Sequence, residues 1–289
     1  MKRGGYHQYT NAGFTIIEVL IVLAVTASLF ILAVVYVGGK QSKTEFQVGS
    51  RQIQQQFQQV ISDVQNGYYP SNAELQCAVS AQGVSLRKVA NTSQGSNDAC
   101  IFVGKTIVIG GNNNAEYMVY SLAGRRLNTS GQEVSNVQEA RPVAITPINT
   151  DIDAPPDLTV KTPIPNALTF VWGSIDGGIT KINSSEGYLN VSIMTNFSQF
   201  ANAGIGDTGL QSFSLRGMDG APWGTALGNN TTPMQQATLI NDEVTRPNPY
   251  PSLQSAQYCF ASGGTDQSVL VTISSGLQVS SEIKSGKSC

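Results

Sequence analysis

The sequence has little histidine and little charge. Histidine occurs once, as His7, and charged residues make up 12% of the chain. The part after residue 13 therefore lacks the most frequent general base, which also completes Ser–His–Asp and Cys–His catalytic arrangements. A net charge of −2 does not indicate a nucleic-acid-binding surface. These absences favour a protein that is not an enzyme and that uses no cofactor.

Charge is almost absent from residues 14–39, where Glu18 is the one charged side chain. A run of about 20 apolar residues crosses the hydrocarbon layer of a membrane as a helix. We therefore predict that residues 14–39 form a membrane-spanning helix surrounded by lipid. A carboxylate within such a helix is costly, so we expect Glu18 to have a partner and a function.

The residues around the start of this run form a recognisable pattern. Residues 1–13 read MKRGGYHQYTNAG, with two basic residues near the start, and residues 14–18 read FTIIE. This pattern resembles the prepilin signal of type IV pilins and of the pseudopilins of type II secretion. The resemblance implies that a prepilin peptidase cuts after Gly13 and methylates the new amino-terminal Phe14. It also implies that Glu18 serves assembly.

Glu18 lies one helical turn after Phe14, which suggests a partner for its carboxylate. After cleavage, the amine of Phe14 in one subunit can pair with Glu18 of a neighbour. A buried ion pair adds little net affinity, so this pair would set the register between subunits. The resemblance further implies other pilin subunits and a membrane assembly platform as partners. A single-pass membrane protein would thus become part of a cell-surface filament.

Several alternatives stay open for the same segment. The filament subunit can be a major pilin or a minor one, with the large head favouring a minor or tip subunit, or a pseudopilin of a secretion system. A membrane-anchored adhesin or binding module that never polymerises is the rival. A secretory signal peptide fits less well, because its apolar core is shorter and its cleavage site follows the core.

Residues 40–66 are expected to continue the helix outside the membrane. Their apolar residues recur at spacings that place them on one helical face, with glutamines on the other: Phe46, Ile53, Phe57, Val60, Ile61 and Val64. Gly67 and Pro70 end the helix. We expect the apolar stripe to pack against a head domain.

Residues 67–289 are expected to form a β-rich, mainly antiparallel head, which makes the fold class α+β. Residues 68–97 look irregular, whereas alternation within 99–127 predicts a hairpin whose first strand has Ile101, Val103, Ile107 and Ile109 on one face. Residues 142–165 hold six of the twelve prolines and read as a linker, an edge or a wrapped loop. Further strands are predicted at 168–172, 188–194, 257–261, 268–274 and 278–283.

Four cysteines follow the apolar run: Cys77, Cys100, Cys259 and Cys289. An even number on one side of the membrane favours two disulfides in an oxidising space, so the head is expected to be extracytoplasmic. Of the three possible pairings, we expect the two local ones, Cys77–Cys100 and Cys259–Cys289. Free buried thiols are the alternative, and the absence of CxxC spacing argues against zinc.

The best metal candidate is an acidic loop with Asp151, Asp153 and Asp157. Oxygen ligands at alternating positions can hold calcium, but the EF-hand pattern is not met. We therefore expect a solvated loop without a metal.

Overall fold

A computed structural model describes eleven stretches of the chain. They are residues 14–67, 75–80, 83–88, 99–111, 113–144, 159–165, 168–176, 180–185, 187–195, 213–217 and 252–289. The chain divides into two compact units, Met1–Glu45 and Phe46–Cys289.

The described elements are two helices and thirteen strands. The helices are α1, Ile16–Gln65, and the short α2, Val137–Ala140. The strands are β1 Leu75–Ser80, β2 Gly83–Lys88, β3 Cys100–Gly110, β4 Asn113–Arg125, β5 Val143–Ala144, β6 Thr159–Pro163, β7 Leu168–Ile175, β8 Thr180–Asn183, β9 Tyr188–Thr195, β10 Phe213–Gly217, β11 Ser255–Ser262, β12 Gln267–Ser274 and β13 Val279–Ser285.

The second unit is built from antiparallel sheets. A six-stranded sheet has the order β10-β9-β3-β4-β5, with β6 also paired to β4. A five-stranded sheet has the order β13-β12-β11-β7-β8, and β1 pairs with β2 in a separate ribbon. The predicted α+β class is thus confirmed at the level of one long apolar helix followed by antiparallel sheets.

The apolar stripe of α1 packs as the sequence predicts. All six stripe residues are at most 7% exposed and share one core with side chains from both large sheets. At its centre, the ring of Phe57 lies 5.5 Å from that of Tyr117 on β4 and 4.8 Å from that of Tyr258 on β11. Each buried apolar side chain of this size contributes about 1.5–3 kcal/mol. The glutamines at 52, 55, 58 and 59 face solvent.

Polar contacts add to this packing. The Lys105 ammonium on β3 donates to the Asp63 carboxylate on α1 at 2.6 Å, with both side chains largely buried. Gln54 donates to the carbonyl of Val279 at 3.1 Å and accepts from the Ser281 hydroxyl at 2.8 Å. These contacts fix the register of α1 against β3 and β13, which apolar packing alone specifies less sharply.

A bulge in β3 overturns one detail of the sequence prediction. Ile107 and Ile109 belong to the core beneath α1, but Val103 belongs to a second core on the other face of the sheet, and Ile101 packs against that second core. The register of β3 against β4 shifts immediately before Gly104. An extra residue in a strand reverses the facing of everything before it. The prediction that all four residues share one face is therefore wrong.

The second core covers the opposite face of the six-stranded sheet. Val103, Tyr120 and Met194 of the sheet pack there with Ala140 of α2. The side-chain oxygen of Asn136 accepts from the backbone N–H of Glu139 at 2.8 Å and caps this short helix. Both faces of β3 are thus buried, which suits a strand with apolar residues on both sides.

Six of the thirteen described strands were not expected, namely β1, β2, β5, β6, β8 and β10. The ribbon of β1 and β2 lies in the stretch read as irregular, and β10 lies in a glycine- and asparagine-rich region. β6 lies within the proline-rich stretch and forms an edge on β4, with Pro163 opposite Glu116 at the end of the ladder. That placement suits a residue without a backbone N–H.

Gly104 gives the first testable prediction. A Cβ at this position would lie 2.0 Å from the backbone carbonyl oxygen of Ile193 on β9. Gly104→Ala should therefore lower the free energy of unfolding by on the order of 3 kcal/mol. Guanidinium unfolding of the full chain in detergent, followed by tryptophan fluorescence, measures the change.

Gly263→Ala is the matched control for Gly104→Ala. A Cβ at 263 would meet nothing within 4 Å. Its effect should stay within about 0.5 kcal/mol. Equal effects of the two substitutions would contradict the close approach of β3 and β9.

Tyr258 gives the second prediction. Its hydroxyl is fully buried and has no hydrogen-bond partner among the described residues, whereas the Tyr117 hydroxyl donates to Gln56 at 3.4 Å. Burial also raises the pKa of both phenols. Tyr258→Phe should be neutral or stabilise by up to about 1 kcal/mol, while Tyr117→Phe should destabilise by about 1 kcal/mol. Unfolding midpoints of the two variants compare these outcomes directly, and a clear loss in Tyr258→Phe would argue against an unpaired hydroxyl.

Candidate functional site

The start of α1 is closed by reciprocal hydrogen bonds between Thr15 and Glu18. The backbone N–H and the hydroxyl of Thr15 each donate to Glu18 Oε2 at 2.9 Å. The backbone N–H of Glu18 is 3.3 Å from Thr15 Oγ1, which accepts from it. This arrangement is a capping box, in which two otherwise unpaired donors at a helix start are satisfied by side chains.

Thr15 is the site residue that the sequence analysis missed. The Thr-x-x-Glu spacing before an apolar run is itself a helix-start signature and could have identified it. A negative charge at this end also interacts favourably with the helix dipole. Glu18 therefore has a role within its own chain, in addition to the partner predicted for it in a neighbouring subunit.

The helix that follows is apolar on all sides. Among the described helices, α1 is the one long and apolar enough to cross a membrane, over Ile16–Val34. The two hydroxyls within this stretch are satisfied locally, because Thr26 donates to the carbonyl of Val22 and Ser28 to that of Ala24, each at 2.8 Å. No polar side chain of Ile16–Val34 other than Glu18 therefore requires water or a partner.

The predicted processing site straddles the beginning of the described residues. Phe14 is 88% exposed and precedes the helix. Gly13 and the rest of residues 1–13 lie outside the described part. Cleavage between Gly13 and Phe14 stays a prediction, as does the pairing of the resulting amine with Glu18 of a neighbour.

A disulfide holds the last residues of the chain against the five-stranded sheet. Cys259 on β11 is bonded to Cys289, with the two Cα atoms 5.9 Å apart. The backbone N–H of Cys289 donates to the Ser268 hydroxyl at 3.0 Å, and Trp172 Nε1 donates to the carbonyl of Ser288 at 3.2 Å. A terminal segment that would otherwise fray is thus tied to three strands.

The other cysteines lie near the beginning of the second unit. Cys100 opens β3 and is disulfide-bonded. Cys77 pairs through its backbone with Leu86 in the ribbon of β1 and β2, but its side chain lies outside the described part. The Cys77–Cys100 pairing stays a prediction.

The acidic loop proposed as a metal candidate is not described. Asp151, Asp153 and Asp157 all lie in the stretch 145–158, outside the described residues. Within the stretches that are described, no group of three histidine, cysteine or acidic side chains could hold a metal ion.

Comparison of the chain with protein-family models, with curated proteins and with solved structures found no match. Its function is therefore inferred from its own residues and contacts.

The capping box yields the third prediction. Thr15→Val keeps the shape of the side chain but removes its hydroxyl, whereas Thr15→Ser keeps the hydroxyl. Loss of a cap costs about 1 kcal/mol, so amides in the first turn of α1 should exchange about fivefold faster in Thr15→Val. Hydrogen exchange of the full chain in detergent micelles measures this rate. Equal protection in the valine and serine variants would exclude the cap.

Proposed function

We propose that this protein is a structural subunit of a type IV pilus-like filament, processed by a prepilin peptidase and assembled through α1. The observation that carries the proposal is the placement of Glu18. It is the single charged residue between Phe14 and Gly39, and it stands one turn after the Gly13–Phe14 junction. A membrane anchor alone does not require a carboxylate at this depth, which costs about 2.5–3.5 kcal/mol at a bilayer centre and less near its edge.

The hydrogen bonds of Glu18 are compatible with a second partner. Both donors from Thr15 reach the same atom, Oε2. A carboxylate has about four acceptor positions, so Oε1 is available to an amine from another subunit. The capping box would then hold the carboxylate in a fixed orientation at the level of the membrane edge.

The second unit supports a location outside the cytoplasm. Its disulfide between Cys259 and Cys289 is of a kind that persists in oxidising compartments. We propose that α1 crosses the membrane once before assembly, that the β-rich unit lies on the extracytoplasmic side, and that the filament carries it at the cell surface. A structural rather than a catalytic role fits the lack of histidine after residue 7.

The rival function is a membrane-anchored surface protein that binds a ligand without polymerising. The same helix and disulfide suit both functions, but only the filament uses a cut after Gly13. A secretion pseudopilin shares the cut after Gly13 with a pilus subunit and differs from it in where the fibre forms.

The fourth prediction tests processing and assembly together. Mass spectrometry of the purified protein should show a chain that begins at Phe14 and carries a methyl group on its amine. This product should be found only when the cells contain the peptidase. Glu18→Ala should still insert in the membrane but should be lost from sheared filaments by at least about tenfold, in line with the cost of removing one partner of a buried pair.

Glu45→Ala is the matched control for Glu18→Ala, because Glu45 lies in the same helix, beyond the apolar run, and accepts only from Gln41 within that helix. It should enter filaments normally. An uncut amino terminus, or normal incorporation of Glu18→Ala, would leave the anchored surface protein as the better assignment.

A further inference from the structure

A tyrosine lies near the end of the apolar run of residues 14–39, and two lysines follow that run directly. Tyr36 is 69% exposed, and both Lys40 and Lys43 are exposed as well. With 100° per residue, the three side chains fall within about 60° of one another on the helix. Tyr36, Lys40 and Lys43 are called the basic collar below.

The basic collar has no acid on its own face. Glu45 is the nearest carboxylate in sequence, and it projects about 180° from Tyr36 around the helix. Its oxygen already accepts from Gln41 Nε2 at 2.8 Å. Within the described part of the chain, neither Lys40 nor Lys43 forms an ion pair. Two positive charges are thus left without neutralisation beside an apolar helix.

The lysine side chains are directed back towards the apolar stretch. Helical side chains tilt towards the amino terminus. The structure shows this for Lys40, whose ammonium lies over the ring of Tyr36, one turn earlier, 5.5 Å from its centroid. The contact holds the charge on the membrane side of its own Cα atom.

The heights match the headgroup layer. Ile16–Val34 has 19 residues, and at 1.5 Å each they span about 28 Å, close to the hydrocarbon thickness of about 30 Å. By the same rise, Cα of Lys40 lies about 9 Å and Cα of Lys43 about 13 Å beyond Val34. Long side chains that reach back bring both ammonium groups near the layer of lipid phosphates, which extends about 5–8 Å beyond the hydrocarbon.

We propose that the basic collar binds the phosphate headgroups of anionic phospholipids in the leaflet at the carboxyl-terminal end of the span. This inference rests on the membrane location in the proposed function, but not on filament assembly. Tyr36 places its ring at the interface, as aromatic residues at membrane boundaries do, and the lysines supply the charge that selects anionic over zwitterionic lipid.

The fifth prediction concerns lipid selectivity. The full chain is incorporated into nanodiscs with equal amounts of phosphatidylglycerol and phosphatidylcholine, and native mass spectrometry counts the lipids that stay bound. The wild-type chain should retain phosphatidylglycerol over phosphatidylcholine by about fivefold or more, since one lysine near the surface contributes about that factor. Lys40→Gln/Lys43→Gln should bring the ratio close to one. High salt, applied to the wild-type chain before it is released from the nanodiscs, should also bring the ratio close to one.

Lys161→Gln/Lys284→Gln is the charge-matched control. Lys161 on β6 is exposed and pairs with Glu116, and Lys284 on β13 is partly buried and pairs with Glu282. The control should keep the wild-type lipid ratio. A ratio of one in the wild-type chain, an unchanged ratio in the collar variant, or an equal loss in the control would each overturn the proposal.

The same experiment separates this inference from the function it rests on. Incorporation into nanodiscs of phosphatidylcholine alone reports insertion of α1 without any lipid selectivity. Failure to insert would refute the membrane location, whereas insertion without selectivity would refute the collar only. A collar variant that keeps the lipid ratio but loses contact with other copies of the chain would assign the lysines to a protein interface instead.

Discussion

The constraint on which the rest depends is that no described part of the chain shields the first half of α1. About a dozen large apolar side chains between Ile16 and Val34 are each roughly half exposed or more. Moving such a side chain from water to an apolar medium gains about 1.5–3 kcal/mol, so the whole stretch gains on the order of 20 kcal/mol. A folded domain is stable by only about 5–15 kcal/mol. The choice of medium for this stretch therefore outweighs the folding of the second unit, and under the proposed function extraction from the membrane has to be driven.

The polar residues of this helix are consistent with that constraint. Thr26 and Ser28 satisfy themselves on carbonyls of their own helix, and Thr15 and Glu18 satisfy one another. Glu18 also keeps a charged oxygen, Oε1, as unused acceptor capacity among the described residues. In a medium without water, that spare capacity attracts any donor that arrives at the same depth. A neighbouring amine is such a donor, and this is the physical basis of the proposed register between subunits.

The long helix and seven of the thirteen described strands could be predicted because their patterns are local. The stripe from Phe46 to Val64 has the helical period, and strands such as β9 and β12 are short runs of apolar and β-branched residues between turn residues. The bulge could not be predicted by alternation, although an isolated glycine inside a strand is a known sign of one. Gly104 is such a glycine, but the predicted face of Ile101, Val103, Ile107 and Ile109 assumed regular alternation on both sides of it. The β1–β2 ribbon was missed although its pairing is local, from Ser80 with Gly83 to Leu75 with Lys88. Apolar and other residues also alternate along β1, which is the ordinary signal of a strand.

The candidate site also contains residues that could be predicted from the sequence and residues that could not. Glu18 was found because it is an exception in an apolar run, while Thr15 was missed because a threonine in such a run is ordinary. The contact from Trp172 to Ser288 joins residues 116 apart in sequence, which no local pattern can reveal. The sequence pattern thus identified Glu18, which is an exception in the apolar run, but not Thr15, which donates hydrogen bonds to Glu18.

The two halves of α1 differ in how their apolar residues are distributed, and this difference indicates two different surroundings. From Ile16 to Val34 the helix is apolar on all sides, which suits lipid or a ring of similar helices. From Phe46 to Val64 the buried apolar residues lie on one face, and that face is already covered by the sheets. Exchanging lipid for neighbouring helices around the first half therefore requires no change in the contacts of the second. Under the proposed function, the subunit can enter a filament with its β-rich unit folded as it was in the membrane-bound state.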